Sequence, residues 1–418
     1  MDETVYDFDL HIEKSDDRCF ARVVRSPAGE AVCPFRNPFS LRELDILSRR
    51  LANAGAGAQL DENGVDATAA AGQWADLARQ GGQQLFEATF QDGVLACFHR
   101  SLEAAYVERA RLCIRIRLDD THAWSALPWE YLYDPHREQF VNLSVHSPMV
   151  RHVEQMHRAA PTAYRPPLRM LVVITGRRDP STLDSDAEWL RLVDSLDYLA
   201  AERRLVLERL VKPTLLDLQR RLRQDEVHIL HFMGQATYDA TLEDGVLQFE
   251  DEMGRPRPVH GLHLGALLRD RQSLRLVTFE ARGPVQSAVR NPFVTAALSA
   301  VTRGVAAALA VQSPLAPAAR LSFMRTYYDR IAHVQPVDVA VAEARRSLVL
   351  DGLGPEWGIP VLIGRMRANH LFDDGSLPAA ARQEQSGRRP SSAFDSLRIR
   401  AANRDTIASW RTELPDTN

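Results

Sequence analysis

The spacing of apolar and polar residues changes character along the chain and divides it into four stretches. Residues 5–12 and 18–25 alternate apolar with polar and are joined by Lys14-Ser15-Asp16-Asp17, the pattern of an antiparallel hairpin. Leu41, Leu44, Leu47 and Leu51 come after Ser40 at helical spacing, so Ser40 reads as an N-cap. A second helical pattern covers 72–107, carried by Trp74, Leu77, Leu85, Phe86, Phe90, Leu95, Phe98 and Leu102, and Gly81-Gly82 predicts a break within it. Residues 111–118 alternate strictly, with Leu112, Ile114, Ile116 and Leu118 on one face and Cys113, Arg115 and Arg117 on the other. That alternation predicts a half-buried strand whose arginine face meets solvent. Residues 1–158 therefore read as a smaller α+β region with antiparallel strands, packed on a larger core and ending in a short strand at 148–153.

Pro161, Pro166 and Pro167 mark 159–167 as a linker. Beyond it, continuous apolar runs at 168–175, 205–211, 227–234, 274–280 and 305–311 alternate with helical segments at 185–202, 213–223, 260–270 and 291–303. Strands buried on both faces and separated by helices predict right-handed crossovers and a parallel sheet, so 168–366 is an α/β core with flanking helices. Residues 245–250 and 255–258 read as an antiparallel insertion, with helices at 318–332 and 337–350 and a last strand at 359–364 after it. From 367 to 418 the chain is polar and too poor in apolar residues to pack, a tail disordered by composition. Within it Ile407, Trp410 and Leu414 fall on one face of a short helix at 403–414, which either binds a partner or docks on the chain's own core.

In an open α/β sheet, ligands bind outside the carboxyl ends of the strands. The runs at 227–234 and 274–280 end at Gln235 and Arg282, so these two residues are expected side by side, with Gly234, Ala236, Tyr238, Asp239, Glu280 and Gly283 lining the crevice. The stretches His231-Phe232-Met233-Gly234-Gln235-Ala236 and Glu280-Ala281-Arg282, with Leu127-Pro128-Trp129-Glu130-Tyr131-Leu132-Tyr133-Asp134-Pro135 upstream and Trp357 and Pro360 near the end, resemble a CHAT domain. This is a caspase-like peptidase family of clan CD, and the likeness runs from about Tyr6 to about Met366. The resemblance implies a caspase-like parallel-sheet core. In the family's pattern, His-Phe-x-Gly-His-Gly and Asn-Ala-Cys supply a His/Cys dyad. Here the His position holds Gln235 and the Cys position holds Arg282.

A cysteine peptidase needs a thiolate nucleophile and an imidazole that takes up and returns a proton. A glutamine amide does not titrate, and a guanidinium stays protonated. The sequence thus predicts a pseudoenzyme acting as a regulatory, scaffolding or substrate partner of an active caspase-like or CHAT peptidase. The alternative is an enzyme of another, non-peptidase kind, acting on an acidic or phosphorylated ligand around Arg282. A buried guanidinium needs a carboxylate, and Glu280, Asp239 and Glu243 are the nearest candidates in sequence. The Leu127–Pro135 segment, rich in aromatics, is expected to join the first part of the chain to the sheet.

Composition narrows the remaining classes. The 418 residues are 45% hydrophobic and 25% charged with a net charge of -4, and the charges are interspersed, which argues against nucleic-acid binding. Cys19, Cys33, Cys97 and Cys113 lack metal-ligand spacing and read as buried, reduced thiols of a cytoplasmic protein. His228 and His231, three apart on a strand, point to opposite faces and read as core imidazoles with hydrogen-bonded partners. No phosphate-binding glycine pattern and no serine nucleophile elbow occurs. The expectation is no cofactor, no metal and no membrane span.

Overall fold

The parallel core strands are short and apolar on both faces, so they demand helices above and below. In the computed structural model, residues 4–16, 18–53, 67–118, 124–154, 160–176, 185–283, 290–366 and 370–375 are described. Eleven strands form the main sheet. In chain order they are β1 (Val5–Ser15), β2 (Arg18–Arg25), β3 (Ala31–Phe35), β4 (Arg111–Leu118), β5 (Met149–His152), β6 (Leu168–Ile174), β7 (Leu205–Arg209), β8 (Ile229–Gly234), β9 (Leu276–Ala281), β10 (Ala307–Val311) and β11 (Pro360–Gly364). Across the sheet the order is β7-β6-β8-β9-β10-β11-β5-β4-β1-β2-β3. The strands from β7 to β10 are parallel, β11 pairs antiparallel with β10, and β11, β5, β4 and β1 are parallel to one another.

The α/β class and the parallel core are as expected, but the sheet is larger than the 168–366 segment. The N-terminal strands continue it edge to edge through β5 and β11 rather than packing on it as a separate layer. The Pro-rich 159–167 stretch is also tied down where it is described. Thr162–Ala163 pairs with Phe372–Asp373, and Tyr164 packs on His228 and Phe372. The fold accordingly runs past Met366, with Leu371 and Phe372 buried. The described residues lie in one compact unit, Met1–Ser376. Ile407, Trp410 and Leu414 lie outside the described residues.

Nine helices among the described residues cover the sheet: α1 (Leu41–Asn53), α2 (Ala67–Thr89), α3 (Asp92–Val107), α4 (Ser185–Ala201), α5 (Leu215–Gln224), α6 (Gly261–Leu268), α7 (Pro292–Thr302), α8 (Pro317–Ala332) and α9 (Val337–Leu350). None is long and apolar enough to cross a membrane. The helical stripe of the first third forms an aromatic cluster under the sheet, with ring centroids 4.5 Å apart for Phe86–Phe90, 4.7 Å for Phe90–Phe98 and 5.2 Å for Phe8–Phe98. The second core packs Phe232, Phe249, Phe279 and Phe293 with the aliphatic faces of β8, β9 and α7. Between β8 and β9 a three-stranded antiparallel insertion is formed by Ala236–Asp239, Asp244–Glu250 and Pro256–His260.

Two local expectations fail for nonlocal reasons. Arg115 is buried, not solvated, because β4 lies inside the sheet. Its guanidinium is 2.5 Å from Asp7 and 3.0 Å from Asp9 on the neighbouring parallel strand β1, while Asp338 of α9 lies 3.9 Å from Arg111 on the same face. The Gly81-Gly82 pair does not break α2, which runs through it. A Cβ on Gly82 would stand 1.8 Å from the Tyr131 carbonyl oxygen and one on Gly81 2.9 Å from the Leu47 side chain, so the pair lets the helix approach its neighbours. Gly72, on the same helix, has open space around it. Gly82→Ala should therefore cost about 1–3 kcal/mol by overpacking, whereas Gly72→Ala should add about 0.5–1 kcal/mol through helix propensity. Equal effects of the two substitutions in urea unfolding would show that helix propensity, not the contact with Tyr131, governs position 82.

Candidate active-site crevice

Parallel pairing carries Gln235 and Arg282 to the same edge. Gly234 lies opposite Ala281 at the last rung of the β8–β9 ladder, and the Arg282 N–H donates to the Gly234 carbonyl at 2.9 Å. The Gln235 carbonyl accepts from the Gln248 N–H at 2.9 Å, which starts the insertion. The Gln235 side chain is exposed and faces Gly283, whose Cβ position is 3.9 Å from its Nε2.

Arg282 reaches sideways. Its Nη1 donates to the Thr175 carbonyl at 2.7 Å, at the end of β6 and on the far side of β8. Two inter-strand steps amount to roughly 9.5 Å, so the extended guanidinium lies across the end of β8. Gly234 makes room there, because a Cβ on it would meet the Thr175 hydroxyl at 2.3 Å. Burial lowers the pKa of Arg282, opposed by the fields of Glu188 and Glu280 and reinforced by those of Arg320 and Arg209.

Beneath the crevice lies a buried polar cluster. Glu280 accepts from Arg320 on both carboxylate oxygens, Nε on Oε1 and Nη2 on Oε2 at 3.5 Å, and its Oε2 is also 3.0 Å from His231 Nε2. Arg320, from the first turns of α8, also donates to Glu188 of α4 at 2.6 Å. His231 Nδ1 is 2.9 Å from the Tyr328 hydroxyl, which donates to Thr278 at 3.0 Å. Burial pushes the Glu280 carboxyl up, but Arg320 and His231 outweigh it and hold the pKa down to about 2. Glu280 is thus an anion committed to two partners, without basicity at neutral pH.

The other expected crevice residues point elsewhere. Ala236 packs on the core. Tyr238 lies under the Arg290 guanidinium, 5.5 Å from ring centroid to carbon. Asp239 is 3.1 Å from His260 and accepts from the Thr241 and Leu242 N–H groups, and these bonds, His260 foremost, lower its pKa. Glu243 is exposed at the tip of the insertion. His228 accepts the Arg169 N–H at 3.0 Å, so both histidines of the 227–234 run are hydrogen-bonded core residues. The four free cysteines sit on β2, β3, α3 and β4, at the other half of the sheet. Burial raises the Cys33 and Cys113 thiols, the opposite of activation. Sequence reasoning missed Arg320 and Glu188; the polar positions at His231, Thr278 and Glu280 in otherwise apolar strands were the available signal.

A family profile described as CHAT domain matches residues 79–373, more than half of the chain. The chain belongs to the CHAT domain family. Among solved structures this CHAT-domain chain is similar to the separase–securin complex of Saccharomyces cerevisiae, with 8% identity, a TM-score of 0.44, and coverage of 87% of this chain and 30% of that chain. It is also similar to the Arg-specific cysteine proteinase gingipain R, with 11% identity, a TM-score of 0.36, and coverage of 78% and 75% respectively. The CHAT-domain chain therefore spans less than a third of the separase chain. A comparison with curated protein sequences gives no match.

The different bonding of the two arginines yields a test. Arg320→Met should cost about 3–5 kcal/mol, because Glu280 and Glu188 are left buried without their shared cation, while Arg282→Met, which takes away the bond to the Thr175 carbonyl among its interactions, should cost less, about 1–3 kcal/mol. Equal losses in denaturant unfolding would make Arg282 a principal counter-ion. Glu280 adds a pH signature. Its folded pKa of about 2 lies below the usual 4.5, so its contribution is complete above about pH 4.5 and lost as pH falls toward 2. The stability gap between the unaltered chain and Glu280→Gln should shrink over that window, and a constant gap would contradict the pairing.

Proposed function

We propose that this CHAT-domain chain is a pseudopeptidase that acts by binding, as a regulatory, scaffolding or substrate partner of an active caspase-like peptidase. The observation that carries the reading is the pair Gln235 and Arg282 at the carboxyl ends of adjacent parallel strands, just past the rung that joins Gly234 to Ala281. Neither side chain supplies a nucleophile or a titrating base, and the residues of such a dyad act as a unit, so losing both leaves no partial mechanism. The low pKa of Glu280 and its commitment to Arg320 and His231 weigh against the alternative of another reaction around Arg282. The exposed Gln235 amide and the half-buried Arg282 offer hydrogen bonds to a bound chain without cutting it.

Affinity capture of the full chain from its native host, read by mass spectrometry, is expected to return a caspase-like peptidase with an intact His/Cys dyad in near-stoichiometric amount. Recovery of none, with other partners recovered, would overturn the partner assignment. The dyad assignment has its own test. The double substitution Gln235→His with Arg282→Cys is expected to label with a thiol-reactive peptide electrophile at position 282, and labelling at Cys19 alone would contradict the alignment.

A further inference from the structure

Outside the crevice, His99, Asp134 and His136 offer three ligand atoms that all lie within 4.8 Å of one another. We propose that these three residues bind a divalent transition-metal ion, with Zn²⁺ the best match. The site belongs to neither the crevice nor the dyad positions and does not depend on the pseudopeptidase reading.

The local sequence builds the site from two rigid pieces. His99 projects from α3 beside Phe98, whose ring is part of the aromatic cluster under the sheet. Asp134 ends the short strand Tyr133–Asp134, which pairs with Gln139–Phe140, and Tyr133 packs on Phe140 at 5.1 Å. The Asp134 Oδ1 accepts the His136 backbone N–H at 2.9 Å, an Asx turn that folds the His136 ring back toward the same carboxylate. His99 Nε2 is then 2.8 Å from Asp134 Oδ2 and His136 Nδ1 is 3.4 Å from Oδ1. The two imidazoles meet edge to face at 5.6 Å between centroids.

The two histidine–carboxylate separations lie at or near coordination spacing, each on a different Asp134 oxygen, and the imidazole pair, within 4.8 Å, needs a turn of the exposed His136 ring to reach it. With metal–nitrogen and metal–oxygen distances of about 2.0–2.2 Å, ligand atoms in a four- to six-coordinate shell lie about 2.9–3.5 Å apart. The burial is graded in the way a site with an open position requires. The Asp134 side chain is 1% exposed, His99 31% and His136 58%, so a carboxylate at the base faces solvent through two imidazoles. Asp134 also differs from the buried carboxylates that an arginine neutralises. Glu130 is met by Arg151, and Glu188 and Glu280 by Arg320, whereas the side chains facing Asp134 are two imidazoles. Neutral imidazole with carboxylate selects a borderline transition metal over Ca²⁺ or Mg²⁺, which take oxygen ligands. Three protein ligands leave a fourth position for water or for a side chain of a binding partner.

The test uses the untagged full chain and Zn²⁺ alone, by isothermal titration, with Co²⁺ absorption as a spectroscopic probe of imidazole coordination. One Zn²⁺ per chain is expected at this site, with affinity falling more than about tenfold in His136→Ala and in Asp134→Asn. His136 lies on an exposed turn, so that variant tests binding even if His99→Ala or Asp134→Asn fails to fold. His263→Ala is the control, because among the described residues His260 and His263 form another close imidazole pair, 5.5 Å apart, beside Asp239. It should bind Zn²⁺ as the unaltered chain does. Zn²⁺ should also raise Tm for the unaltered chain and not for His136→Ala. Unchanged affinity in His136→Ala, loss in His263→Ala instead, or displacement of Zn²⁺ by equimolar Ca²⁺ would each overturn the assignment.

Discussion

The guanidinium of Arg320, held between Glu280 and Glu188, is the interaction on which the site's frame depends. It ties the start of α8 to α4 and to the end of β9, and Glu280 passes the tie through His231 to β8. A buried ion cluster of this kind adds little net stability over an apolar one, but removing one member leaves uncompensated charge. The cluster therefore fixes how the helices sit over the strand ends. At the same strand ends, the Arg282 guanidinium reaches the Thr175 carbonyl and the Gln235 side chain is exposed. On the pseudopeptidase reading proposed above, the strand ends keep their geometry through this cluster, with Gln235 and Arg282 at the proposed dyad positions.

The rest of the sheet uses the same device at longer range. Glu130 of the Leu127–Pro135 segment takes a two-pronged ion pair from Arg151 on β5, and Arg151 also donates to the carbonyls of Ser125 and Leu127. Tyr131 packs on Trp357 at 4.9 Å, and a Cβ on Gly358 would stand 2.2 Å from its ring. The segment thus locks the N-terminal strands to the final turn before β11, where the sheet changes direction. Its aromatics serve packing, as their composition suggested, while its carboxylates are tied to an arginine and to two imidazoles.

The core strands and helices were legible because their signal is local. Apolar runs buried on both faces alternate with amphipathic helices, and the strand ends carry Gln235 and Arg282 to one edge by parallel pairing. What escaped the sequence depended on partners distant in the chain. Arg115 looks solvated until Asp7, Asp9 and α9 are placed against it. Gly81-Gly82 looks like a break until the Tyr131 carbonyl is set beside Gly82. Arg320 carries no pattern of its own on α8, and the expected carboxylates Glu280 and Asp239 turned out to serve Arg320, His231 and His260. His99 stands 35 residues before Asp134, a spacing that no short metal motif contains.

The central claim is that the strand-end crevice has the frame of a peptidase site without its chemistry. Incubating the purified full chain at high concentration with a proteome-derived peptide library, and reading new termini by mass spectrometry, tests this most directly. The account predicts no cleavage above the buffer control after any residue type. Cleavage that Arg282→Ala or Gln235→Ala abolishes while the fold is retained would contradict it.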